Sequence, residues 1–119
     1  MGDKLRSHHG RKCFWCQRIM QSGSRFLKPT RDHVIPKSRG GTKTVICCLS
    51  CNNLKGDMPP AIWALMLERF PAIHDELSRA GPRGMGLFYA LMGQTHDPNI
   101  DRIVAEAMAR FPEYGEVKL

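Results

Sequence analysis

Long apolar runs are absent from this sequence. Its 119 residues include no stretch long enough for a signal peptide or a membrane-spanning helix. Its cysteines number five, an odd count that intrachain disulfides alone cannot consume. Both features favour a reducing compartment, where closely spaced cysteines bind metal more often than they form disulfides. We therefore expect a cytoplasmic protein with no membrane partner.

Acidic residues and large aliphatic residues are both scarce in the first half of the chain. Residues 1–60 hold three aspartates against twelve lysines and arginines, whereas residues 61–119 hold eight acidic residues against six basic ones. This asymmetry indicates a polyanion as the partner of the first half, and we favour nucleic acid over a merely solubilising basic surface. Because so few aliphatic residues are available for a core, the first half needs an additional cross-link, such as a bound metal ion, in order to fold.

Two Cys-x-x-Cys pairs can supply that cross-link by binding a metal ion. Cys13 and Cys16 form the first pair, and Cys48 and Cys51 form the second. This spacing is typical of zinc knuckles, and two knuckles together predict one closed site of four thiolates. Cys47 could replace Cys48 through a longer spacing. The usual spacing favours Cys48, so we expect Cys47 to be a small buried apolar residue.

The segment between the two pairs predicts a β-hairpin. Residues 26–36 form an extended segment, and residues 44–46 form the returning strand. The basic, glycine-bearing stretch 37–43 becomes a wide loop between them. The second knuckle then opens a short helix that ends at Gly56.

The second half of the chain predicts helices. Pro59 and Pro60 suit the first turn of a helix that Pro71 ends, and residues 73–79 continue toward Gly81. Residues 85–92 form a short apolar segment, and Asp97 is the predicted N-cap of a last helix. That helix carries the clearest amphipathic stripe in the chain, which is most simply core: Ile100, Ile103, Val104, Ala107, Met108 and Phe111.

Three polar residues could form a second, different site. Asp32 and Asn52 offer the hard oxygen ligands that Mg²⁺ prefers, and His33 offers an imidazole that can take a proton from water. A phosphodiester held by a metal ion beside a general base is a hydrolysis site. Taken singly, Asp32 could be an ion-pair partner, Asn52 a helix cap and His33 a structural residue.

The order of these elements resembles the HNH endonuclease family, which has the ββα-metal fold, in its four-cysteine zinc form. The resemblance covers less than half of the chain, from about Cys13 to Asp57. The motifs that carry it are Cys13-x-x-Cys16, Asp32-His33-Val34-Ile35-Pro36, Gly40-Gly41 and Cys48-x-x-Cys51-Asn52-x-x-Lys55-Gly56-Asp57.

The resemblance implies an α+β fold with two parts. Residues 1–58 would be a small ββα-metal core stapled by zinc, and residues 59–119 a helical extension packed on or beside it. His33 would be the general base, and Asp32 and Asn52 would be catalytic residues that bind a divalent ion such as Mg²⁺ or Mn²⁺. The hairpin and helix would contact the backbone of double-stranded DNA, so the protein would have weak sequence specificity. The contacting cations would be Lys37, Arg39, Lys43 and Lys55.

The sequence departs from the family pattern at one position. The family's middle asparagine has no counterpart in residues 42–46, where Lys43 and Thr44 are the nearest polar candidates. That residue mainly braces the loop and the base, so its absence bears on the orientation of His33. The alternative function is therefore a catalytically weak or inactive zinc module that binds nucleic acid. The helical half could form a homodimer or bind a protein partner, and such nucleases occur in bacterial and phage-encoded settings.

Overall fold

A computed structural model describes residues 5, 7–37, 40–71, 73, 81–95, 97–117 and 119. Arg39 and most of the predicted helical segment 73–79 lie outside the described residues. The described part has an α+β fold in which a two-stranded antiparallel sheet is followed by helices. None of the helices in this part is long and apolar enough to cross a membrane.

The predicted hairpin is confirmed. Strand β1 spans Pro29–His33 and strand β2 spans Thr44–Cys48. The strands are antiparallel, with Pro29 opposite Cys48 and His33 opposite Thr44. The hairpin thus separates Cys48, at the end of β2, from His33, at the end of β1.

The wide loop of the hairpin folds back tightly on itself at Gly41. Its N–H donates to the carbonyl of Pro36 at 3.3 Å. A β-carbon added at Gly41 would lie 1.7 Å from the carbonyl oxygen of Ile35, a backbone atom that cannot move aside. Glycine is therefore required here by the close approach of two chain segments.

We expect Gly41→Ala to destabilise the protein by about 2–4 kcal/mol, because the methyl group forces the loop away from Ile35. Denaturant unfolding measures this cost. Gly23→Ala is the matched control, since nothing lies within 4 Å of a β-carbon there. Equal stability of the two variants would show that the loop does not need this close approach.

Four helices follow the hairpin in the described residues. They are α1 (Leu49–Lys55), α2 (Pro60–Arg69), α3 (Gly84–Met92) and α4 (Ile100–Arg110), and a 3₁₀ turn spans Pro112–Tyr114. Helix α1 ends at Gly56, whose φ of 47° is a left-handed conformation that favours glycine. The helices begin and end close to the predicted positions, because prolines and glycines mark their ends.

The predicted N-cap of the last helix is wrong. Asn99 caps α4, and its side-chain oxygen accepts a hydrogen bond from the N–H of Arg102 at 3.2 Å. Asp97 instead accepts from the N–H of Asn99 at 3.3 Å and forms an ion pair with Arg102. Asn and Asp cap helices about equally well, so the local turn decides between them.

Both halves of the chain contribute to one hydrophobic cluster. It includes Cys13 and Met20 from the first knuckle region and Trp63, Phe88 and Ile103 from the helices. Helices α2 and α4 are also joined at their surfaces by the ion pairs Arg69–Glu106 and Arg110–Glu68. The helical half therefore supplies most of the large side chains that the hairpin half lacks, as the scarcity of aliphatic residues there requires.

Candidate functional site

Four cysteines converge where the two knuckles meet. Cys13 and Cys16 lie in the turn inside the Lys12–Ile19 bridge, Cys48 ends β2, and Cys51 lies in the first turn of α1. Their sulfur atoms all lie within 4.8 Å of one another. The Cys13–Cys51 and Cys16–Cys48 sulfur distances are 3.8 and 3.9 Å.

These distances fit a tetrahedral zinc site. Four sulfurs that each lie about 2.3 Å from one zinc ion stand about 3.8 Å from one another. Backbone N–H groups support the sulfurs: those of Cys16 and Cys48 lie 3.5 and 3.3 Å from the Cys13 sulfur. The N–H of Cys51 lies 3.5 Å from the Cys48 sulfur, so the second knuckle is also the N-cap of α1. The cluster can hold a metal ion such as zinc.

The ionisation of the cluster favours metal binding. Hydrogen bonds from Cys16 and its neighbouring cysteines lower the pKa of Cys13 well below its usual range. Burial raises the pKa of Cys51 well above that of an ordinary thiol. A bound cation would favour loss of the thiol protons, because metal ions bind cysteine as the thiolate.

Cys47 is outside the cluster, as predicted. It is fully buried, and its sulfur lies 3.8 Å from the hydroxyl oxygen of Thr30. Its neighbour Cys48 belongs to the cluster instead.

Helix α1 is bound to the free edge of β1 by two side chains. The Val34 N–H donates to the Lys43 carbonyl at 3.0 Å, which marks the bonded pairs of the antiparallel ladder. The carbonyls of Arg31 and His33 therefore point away from β2. Asn52 Nδ2 donates to the Arg31 carbonyl at 3.2 Å, and Lys55 Nζ donates to the His33 carbonyl at 2.9 Å. Asn52 and Lys55 lie on one face of α1, three residues apart.

Asp32 is buried against this junction, with only 7% of its surface exposed. Its Oδ2 atom accepts a hydrogen bond from the Trp15 indole at 3.1 Å and lies 3.5 Å from Lys55 Nζ. Burial raises the pKa of the Asp32 carboxyl and lowers the pKa of the Lys55 ammonium, while the contact between the two opposes both shifts. This pairing leaves Oδ1 as the carboxylate oxygen that neither group contacts.

Of the three predicted catalytic residues, Asp32 and His33 are adjacent at the end of β1, and Asn52 lies on α1 against the earlier part of that strand. His33 ends β1 and is half-buried. The side chain of Asn52 uses Nδ2 for both of its bonds to β1, at 3.1 Å to Thr30 and 3.2 Å to Arg31. The Oδ1 atoms of Asn52 and Asp32 take no part in these contacts. An amide oxygen and a carboxylate oxygen are hard donors, so the donor set fits a divalent ion such as Mg²⁺.

The predicted cations divide into two groups. Lys37 and Lys43 are exposed in the hairpin loop, where they can reach a polyanion. The prediction that Lys55 contacts nucleic acid is wrong, because its side chain is fully buried. Arg39 lies outside the described residues.

Sequence reasoning missed the polar contact of Trp15 as well as those of Lys55. Trp15 lies between the two cysteines of the first knuckle, and 9% of its surface is exposed. Its hydrogen bond to Asp32 was not foreseen. A signal for it exists, because a buried indole N–H usually finds an acceptor and a short basic segment offers few acceptors.

Comparison with known proteins gives no match: no protein-family model, no curated protein and no solved structure matches the chain. The HNH resemblance of residues 13–57 therefore stays a prediction. The cysteine cluster and the β1–α1 junction are the two features of the structure that bear on function.

Proposed function

We propose that this protein is an HNH-type endonuclease that hydrolyses phosphodiester bonds in DNA. The observation that carries the proposal is the β1–α1 junction, where Asn52 is hydrogen-bonded to β1 and the buried Asp32 directly precedes His33 at the end of that strand. A binding module has no need for this combination. The cysteine cluster supports the proposal because it anchors α1, and with it Asn52, through Cys51.

Asp32 and Asn52 would hold Mg²⁺ or Mn²⁺ through their Oδ1 atoms. When bound, the ion would supply positive charge that offsets the negative charge developing on the phosphate. Two protein ligands leave most coordination positions for water and for phosphate oxygens.

His33 would act as the general base. Its imidazole accepts a proton from water while the water oxygen forms a bond to phosphorus. The bond from phosphorus to the 3′ oxygen breaks, and that oxygen takes a proton from solvent. The products carry 5′-phosphate and 3′-hydroxyl ends, so atoms and charges balance without a further reactant.

The exposed lysines support a nucleic-acid partner. Lys37 and Lys43 lie on the loop that connects the strand of His33 to β2. Lysines contact phosphates as point charges and read no base edges, so we expect weak sequence specificity and double-stranded DNA as the substrate.

A plasmid cleavage assay tests the proposal. Purified protein is incubated with supercoiled plasmid in Mg²⁺, in Mn²⁺ or in EDTA. We expect relaxed or linear plasmid with either ion and none with EDTA, because the phosphate charge is not offset without the ion. Plasmid that stays supercoiled in both ions while gel-shift assays show binding would refute the nuclease.

One observation favours a second function, a zinc module that binds nucleic acid without cutting it. The ammonium of Lys55 already compensates the charge of Asp32 at 3.5 Å, which lowers the attraction of this carboxylate for a cation. The absent middle asparagine acts in the same direction through His33. Binding by either protein weakens with salt, so a divalent-ion requirement separates the two functions and salt dependence does not.

A further inference from the structure

The Lys55 ammonium occupies a closed position between β1 and α1. It is fully buried and donates to the His33 carbonyl at 2.9 Å. It lies 3.5 Å from Asp32 Oδ2 and 5.8 Å from the centre of the Trp15 ring. A buried ammonium is costly unless it is paired and hydrogen-bonded, and these contacts supply the carboxylate, the carbonyl and an aromatic face.

We propose that Lys55 is a positioning residue that fixes Asp32 and His33 against α1, and that its charge weakens the divalent-ion site. The proposal rests on the proposed function, because it concerns the ion held by Asp32 and Asn52. It assigns to Lys55 a role that differs from phosphate contact.

The two contacts of the Lys55 ammonium support its role in positioning His33 and Asp32. One bond holds the backbone of His33, so the base keeps its place at the end of β1. The contact with Asp32 Oδ2 leaves Oδ1 for the ion, which makes Asp32 a ligand through one oxygen. Both contacts come from a helix that the cysteine cluster anchors, so zinc binding and ion binding are connected through α1.

The short distance between the Lys55 ammonium and Asp32 supports the second part of the proposal, that the lysine charge weakens cation binding. A positive charge 3.5 Å from one oxygen of a ligand carboxylate repels a second cation that binds the other oxygen. The low polarisability of a buried site strengthens this repulsion relative to water. The ion site of the free protein is therefore weaker than its oxygen ligands alone would make it.

The test measures Mn²⁺ affinity of the full-length, zinc-loaded protein by electron paramagnetic resonance. Lys55→Met removes the charge and keeps most of the side-chain volume. We expect it to bind Mn²⁺ roughly tenfold more tightly than the wild type and, at saturating Mn²⁺, to cleave plasmid roughly tenfold more slowly. Lys28→Met is the matched control, because Lys28 is an exposed lysine next to β1, and its Mn²⁺ affinity should equal that of the wild type.

A merely structural lysine gives a different result. Folded Lys55→Met with unchanged or weaker Mn²⁺ binding would overturn the proposal, and so would the absence of Mn²⁺ binding from both proteins. If Lys55→Met does not fold, Lys55→Arg decides: it keeps the charge but displaces it, so Mn²⁺ affinity should stay within about twofold while cleavage slows. Tighter Mn²⁺ binding or unchanged cleavage in this variant would overturn the proposal.

The two proposals can fail separately. Wild-type protein that binds Mn²⁺, loses it in Asp32→Asn and cuts no DNA would refute the nuclease. The comparison of Mn²⁺ affinities in Lys55→Met would still decide whether Lys55 weakens the ion site.

Discussion

Cys48→Ala is expected to abolish zinc binding and to unfold the hairpin half of the protein. This thiol has two roles in the structure. Its sulfur lies 3.9 Å from that of Cys16 within the cluster, and it accepts the N–H of Cys51 as the N-cap of α1. Its removal therefore opens the metal site and frees the first turn of the helix that carries Asn52 and Lys55.

The magnitude of the effect follows from the composition of the first half. Structural zinc contributes roughly 10–16 kcal/mol in small finger peptides. Whole domains are stable by only about 5–15 kcal/mol, so the loss of most of the zinc contribution exceeds the margin. The helical half cannot compensate, because its core is packed against Cys13, Cys48 and Cys51 themselves.

Cys47→Ala is the control, since it removes a neighbouring buried thiol that lies outside the cluster. We expect it to retain one zinc per chain and to lose about 1 kcal/mol of stability through lost packing. Metal analysis and thermal unfolding followed by circular dichroism measure both variants. Full zinc content in Cys48→Ala, or loss of zinc in Cys47→Ala, would show that the ligand set differs from these four cysteines.

The parts of the fold that the sequence predicts are those fixed by local rules. Proline and glycine positions marked the ends of α1 and α2, and β-branched residues marked the hairpin. The cysteine cluster could be predicted because a knuckle spacing places both sulfurs of a pair on one ion whatever the rest of the chain does.

The polar contacts of the junction could not be predicted, because they depend on which strand edge the helix meets. A lysine three residues after Asn52 has the same local signature whether it points to solvent or to a buried carbonyl. The outward carbonyls of Arg31 and His33 decide its direction, and they follow from the strand register rather than from the residues around Lys55. The partner of the Trp15 indole depends on the same tertiary arrangement.

His33→Ala is expected to lower the rate of plasmid cleavage by about 10²–10⁴-fold, the contribution typical of a general base. The fold should tolerate the change, because the contacts of His33 with α1 and β2 use its backbone. Its carbonyl accepts from Lys55 at 2.9 Å, and its backbone lies opposite Thr44 in the sheet. Zinc content and DNA affinity should therefore equal those of the wild type.

His9→Ala serves as the control for the loss of an imidazole. His9 is exposed, and its Nδ1 accepts the N–H of Ser22 at 2.9 Å, away from the β1–α1 junction. We expect this variant to cleave at the wild-type rate, and we expect added imidazole to restore part of the activity of His33→Ala. Wild-type cleavage by pure His33→Ala protein would remove His33 from the reaction.

Cleavage rate, Mn²⁺ affinity and imidazole rescue together distinguish loss of the base from a disturbed β1–α1 junction. Loss of cleavage with unchanged Mn²⁺ affinity would place the defect in proton transfer, because the proposed ion ligands would be intact. Loss of cleavage together with a changed Mn²⁺ affinity would place the defect in the β1–α1 junction, where Lys55 contacts both Asp32 and the backbone of His33. Partial rescue by imidazole belongs to the first case alone, since an added base cannot restore the position of a ligand.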